Sequence, residues 1–181
     1  MKFLFSLILI AATILVQAQE NTNQKTEAQS KWKTLEDKEV SIQYPADWEL
    51  NQTGQYNTKF IILSPLEAAD DDFRENINLL VQSLAGAGLN LDKYVELSEG
   101  QVKTMIPNSK LIESKRVKNG SSEFHRMEFL GDQGIYNLRL IQYYWIKNET
   151  AYVLTLTCEQ TRFDAFKQIG EQILNSFKFL N

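Results

Sequence analysis

The sequence predicts an α/β fold of the α+β type, an antiparallel β-sheet sandwiched between helices on both faces, and three observations lead there. The first is the stretch from Gly134 to Cys158, in which two β-rich runs flank the polar Lys147-Asn148-Glu149-Thr150, the pattern of a hairpin. A loop of two or four residues gives one register, with Ile146 opposite Ala151, Trp145 opposite Tyr152, Tyr143 opposite Leu154 and Ile141 opposite Leu156. The second is that this register leaves neither face wet. Ile141, Tyr143, Trp145, Tyr152, Leu154 and Leu156 share one side, while Leu138, Leu140, Tyr144, Ile146 and Val153 share the other, so both need cover. The third is that two amphipathic helical stretches are available to supply it.

From the start of the chain, Lys2, the apolar run Phe3 to Val16 and the small-residue site Val16-Gln17-Ala18 have the layout of a secretory signal peptide spanning residues 1–18. The run is short for a transmembrane span, and no later stretch approaches about 18 continuous apolar residues, so no membrane span is expected after cleavage. No cysteine lies near Ala18 to carry a lipid. Loss of Lys2 takes the formal net charge from −4 to −5, which argues against a nucleic-acid partner, because phosphate binding needs clustered Lys and Arg. Residues 19–31 are polar and are expected to form a disordered leader. Residues 32–181 suit one domain, large enough to bury roughly 70% of its unfolded surface.

Within that domain, Val40, Ile42 and Tyr44 alternate with polar residues as a strand that Pro45 ends. Asp47-Trp48 follows in a turn. Lys59 to Ser64 reads as a buried strand, Leu66 to Glu75 as an acidic loop, and Asn76 to Leu84 as a further strand. Asn90 caps a helix from Leu91 to Ile106, with Leu91, Tyr94, Val95, Val102, Met105 and Ile106 on its apolar face and Pro107 as its stop. Asn119-Gly120 fits a two-residue hairpin turn, which sets Arg116 opposite Glu123, Glu113 opposite Arg126 and Ser114 opposite His125. Thr161, with Asp164 three residues on, is the expected cap of a last helix, whose stripe is Phe163, Phe166, Ile169, Ile173, Leu174 and Phe177.

The run Val40 to Trp48 (VSIQYPADW), a helix ahead of a long antiparallel hairpin, and a closing helix ending Ile173 to Phe179 (ILNSFKF) together resemble the PsbP-like superfamily, the group of PsbP, Mog and DcrB-like proteins. The resemblance runs over nearly all of residues 32–180. It implies an antiparallel sheet between helices, no catalytic residue, and action by binding other proteins. The partners of individual members do not transfer.

Candidate sites each have a plainer reading beside them. Asp70, Asp71 and Asp72, with Glu67 and Glu75, offer hard oxygen ligands for calcium, but the spacing and glycine of an EF-hand are missing and a solvated acidic loop is favoured. Gly86-Ala-Gly88 lacks the third glycine of a dinucleotide loop, where Leu91 stands. His125 beside Ser114 lacks an orienting acid and is read as structural. Tyr44 and Trp48 serve equally as an exposed aromatic patch for a partner or as core. Cys158 is the single cysteine, so no intramolecular disulfide can form, and it is expected to be a buried, inert thiol. Asn51, Asn119 and Asn148 head glycosylation sequons.

These readings give no catalytic residue, no cofactor and no metal set. They point to an exported, periplasmic or extracellular, non-enzymatic binding or accessory protein whose partner is another protein of the envelope or exterior. The alternative is a hydrolytic or ligand-processing enzyme with a site assembled from distant residues. The expected mature N-terminus is Gln19, and mass spectrometry of exported material should find residues 1–18 removed; their retention would overturn export with cleavage.

Overall fold

The computed structural model describes residues 32–69, 71–119 and 122–180. The expected signal peptide and polar leader lie outside the described residues. In chain order the elements are β1 (Trp32–Glu36), β2 (Val40–Pro45), β3 (Glu49–Asn51), β4 (Thr58–Leu63), β5 (Asn76–Ser83), α1 (Leu91–Met105), β6 (Lys110–Asn119), β7 (Ser122–Gln133), β8 (Tyr136–Lys147), β9 (Thr150–Glu159), α2 (Phe163–Ser176) and β10 (Lys178–Phe179). They form an α+β fold with two antiparallel sheets. The larger has the order β3-β4-β5-β9-β8-β7-β6, and the smaller is β1-β2-β10.

The central hairpin takes the expected register, with Ile146 opposite Ala151, Trp145 opposite Tyr152, Tyr143 opposite Leu154 and Ile141 opposite Leu156. Its two faces belong to two separate cores. Ile141, Tyr143, Trp145, Leu154 and Leu156 pack with Phe163, Phe166, Ile173 and Leu174 of α2 and with Val40, Ile42 and Tyr44 of β2. Leu138, Leu140, Tyr144 and Val153 pack with Tyr94, Val95 and Val102 of α1 and with Phe73 and Leu84 from flanking loops. Cys158 lies fully buried on the α2 side, where burial and the nearby Glu75 charge push its thiol well up.

Several expectations are corrected. A single sheet was expected, yet β2 leaves the large sheet. Its apolar residues cover the α2 side of that sheet while its backbone pairs with β1 and β10. Strands β1, β3 and β10 are short, and none has an apolar period of its own. The β6–β7 hairpin is shifted by two, with Arg116 opposite His125 and Ser114 opposite Met127. A shift of two keeps every side chain on its face, and this one sets Val117 against Phe124 and Lys118 against Glu123. The expected Arg116–Glu123 and Glu113–Arg126 ion pairs survive as diagonal contacts. Asn90 does cap α1, accepting from the Lys93 amide at 2.9 Å. Thr161 does not cap α2, because the N-cap position falls on Arg162 with no side-chain bond. Met105 is 60% exposed rather than packed, and the buried helix positions include Ser98 instead.

The approach of α2 to the sheet depends on Gly170, where an added Cβ would sit 2.6 Å from Cδ2 of the buried Leu156. Alanine is the better helix former by about 1 kcal/mol, but overpacking a filled core costs about 1–3 kcal/mol. Gly170→Ala should therefore lower unfolding free energy by up to about 2 kcal/mol in urea titration, and the loss should shrink when Leu156→Val is made in the same chain. Stabilisation by Gly170→Ala alone would contradict this packing.

Candidate functional site

A cleft of about 410 Å³ lies at the end of β8, lined by Glu123, Trp145, Ile146, Lys147, Phe177, Lys178 and Phe179. That volume lies in the small-ligand range of roughly 300–1,000 Å³. Its floor is built from both ends of the chain's last hairpin and helix. Phe177 leaves α2 in extended conformation (φ −64°, ψ 133°), and Lys178 and Phe179 then pair with Ser41 and Val40 of β2. This carries the rings of Phe177 and Phe179 to 5.0 Å and 5.9 Å from that of Trp145, with Phe124 at 5.3 Å supporting the indole from β7.

Around these rings stand two lysines and one acid, Glu123. Lys147 Nζ stands 5.1 Å over the Phe179 ring, a cation–π contact. Neither Lys147 nor Lys178 forms an ion pair with a described residue, whereas Glu123 is engaged by Arg116 at 3.5 Å and Lys118 at 4.0 Å. Trp145 is only 7% exposed, and its buried Nε1 has no hydrogen-bond partner among the described residues. Trp145 and Phe177 were read from the sequence as core, and the lysines were not singled out. The alternation Phe177-Lys178-Phe179 beside Trp145-Ile146-Lys147 was the available signal.

The serine–histidine pair is real but assembled differently from a nucleophile and base. Ser114 Oγ lies 2.6 Å from His125 Nε2 and donates to Glu99 Oε1 at 2.5 Å. With the carboxylate taking the hydroxyl proton, Nε2 must carry its own proton and act as donor. In a catalytic triad the acid instead holds the far nitrogen of the imidazole. Burial and the Arg116 guanidinium hold His125 below its ordinary pKa. Together with Arg116 on Asp92, the set ties α1 to β6 and β7.

On the opposite face, Arg126 donates to Glu113 at 2.5 Å, Glu128 at 2.7 Å and Glu171 at 3.2 Å, while Arg139 reaches Glu128 and stacks 3.9 Å over Phe163. Burial works to raise Glu128, but the bonds from Arg126 and Arg139 outweigh it and leave its pKa lowered. Every charge there is answered within the chain. The network joins β6, β7, β8 and α2.

Of the aspartates weighed for calcium, Asp70 lies outside the described residues. Asp71 accepts from the amides of Glu67 at 2.9 Å and Phe73 at 3.3 Å, and Glu67 pairs with Arg162. Among the described residues, no three acidic, His or Cys side chains are arranged to hold a metal ion. Tyr44 and Trp48 are each 5% exposed and lie in the α2-side core, so they form no exposed patch. Tyr44 belongs to β2 and Trp48 to the turn after it, and both rings pack into the core over the sheet. Gly86 and Gly88 sit in the turn before α1 with left-handed φ of 74° and 65°, after a strand antiparallel to β9, which is not a βαβ setting.

No protein-family model and no curated protein sequence matches the chain. Solved structures do. The chain is similar to PsbP (CyanoP) from Synechocystis sp. PCC 6803, with TM-score 0.60 and 12% identity over 88% of this chain and 98% of that one. It is similar to PA94 from Pseudomonas aeruginosa, a protein of unknown function described as a putative regulator, with TM-score 0.57 and 12% identity over 80% and 94%. It is also similar to LpqN of Mycobacterium tuberculosis, involved in cell envelope biogenesis, with TM-score 0.57 and 11% identity over 84% and 92%. The fold is PsbP-like, as the resemblance in the sequence implied.

Glu75, next to the acidic loop, is 2% exposed, with Ser64 Oγ 3.5 Å from its carboxylate. Burial, and then the charges of Asp71 and Glu159, push it up to about 7. Because its folded pKa lies above the unfolded value, its contribution is fully present below about pH 4.5 and is lost as pH rises through 7. Glu75→Gln should therefore remove a stability loss on the order of 1–3 kcal/mol between pH 5 and pH 8. Parallel slopes for the two proteins in urea unfolding across that range would refute the assignment.

Proposed function

We propose that this chain is an exported, non-enzymatic binding or accessory protein of the cell envelope or exterior, acting through a protein surface centred on the cleft beside Trp145. The observation that carries this reading is the contrast in charge satisfaction. Inside the sheet layers, Arg126, Arg139, Glu113 and Glu128 are paired, whereas the cleft holds two lysines that form no ion pair with a described residue, beside three aromatic rings. Aromatic anchors in a desolvated hollow with charges near them are what protein contact sites use. The signal-peptide layout of residues 1–18 supports export. No helix among the described residues is long and apolar enough to cross a membrane. The PsbP-like neighbours, LpqN of cell envelope biogenesis among them, support an accessory role.

The contact of Ser114 with His125 is the specific observation behind a hydrolytic alternative. Covalent labelling of Ser114 by a fluorophosphonate would favour it. The direct test of the binding reading is affinity capture from the native envelope fraction with the wild-type chain and with Lys147→Glu. A partner should be retained by the wild type and recovered at least tenfold less by the variant, a difference of about 1.4 kcal/mol. Equal recovery by both would remove the cleft from the contact surface.

A further inference from the structure

We infer that the cleft takes the C-terminal residue of a partner polypeptide, an apolar side chain lying on the rings of Trp145, Phe177 and Phe179 and a free α-carboxylate held by Lys147 and Lys178. This rests on the reading that the cleft is the contact surface and adds the chemistry of what enters it. Three features converge. The lining carries Lys147 and Lys178 against one acid, Glu123, whose carboxylate Arg116 and Lys118 approach at 3.5 Å and 4.0 Å. An anion is therefore complementary, while an amine would face two lysines. The rings meet at 5.0 to 5.9 Å, which makes an apolar floor next to those cations. The volume of about 410 Å³ suits a few residues at a chain end rather than a folded loop. Capture of a terminal carboxylate is an established mode of peptide recognition.

The test is titration of the full chain with acetyl-Ala-Ala-Phe bearing a free acid, the same peptide as its amide, and octanoate, followed through the indole N–H resonance assigned by Trp145→Phe. The free acid should shift the Trp145 resonance and saturate. The amide should bind at least tenfold more weakly, as should the acid to Lys147→Ala. Equal binding of acid and amide would overturn the carboxylate assignment, and so would saturation by octanoate with no response to the peptide acid, which would make this a small-molecule site. If no probe shifts Trp145 while partner capture still depends on Lys147, the terminal-residue proposal fails and the contact surface stands. If capture is also indifferent to Lys147, both fail.

Discussion

The β8–β9 hairpin has no face that can meet water, and the remainder of the fold follows from that constraint. On one side Ile141, Tyr143, Trp145, Leu154 and Leu156 are buried, and on the other Leu138, Leu140, Tyr144 and Val153 are. Burying each such side chain is worth about 1.5–3 kcal/mol, far more than any surface ion pair here. The α2 side is closed by α2 together with the three-stranded sheet. The α1 side is closed by α1 and by Phe73 and Leu84 from the loops. A helix alone is too narrow for a seven-stranded sheet, which explains why β2 lies across the layer instead of joining it.

Polar interactions then fix positions that apolar burial leaves loose. The Arg126–Glu128–Arg139 network contributes little net stability, since desolvating its charges offsets their attraction. It does specify where α2 sits against β7 through Glu171. On the α1 side, Gln142 donates to Thr155 at 3.1 Å from the directly opposite position. That bond distinguishes the observed β8–β9 register from a slip of two, which apolar patterning would tolerate.

What the sequence disclosed follows the same division. The central hairpin and both helices were readable because they carry long stretches of one period. The β6–β7 register was misread by two because Asn119-Gly120 is a strong turn signal, and because Arg116–Glu123 and Glu113–Arg126 are satisfied both directly and diagonally. The pairing of Val117 with Phe124 decides it, and that preference needs the α2-side core to exist first. The cleft left only a local trace in the sequence, the alternation Phe177-Lys178-Phe179. It depends on β10 meeting β2 about 140 residues away in the chain, a two-residue pairing with no periodic signal of its own.

The position of the cleft is where this cover runs out. Beyond Phe177, Lys178 and Phe179 extend past the end of β8 and line the cleft with Trp145. A phenylalanine at 145 could keep ring contacts with Phe124 and Phe177 and would bury no polar atom. The indole instead leaves Nε1 without an acceptor among the described residues, and an unsatisfied buried donor costs about 1–3 kcal/mol. Native folds hold such groups sparingly. A carboxylate entering beside Lys147 would neutralise that cation next to the rings of Phe179 and Trp145.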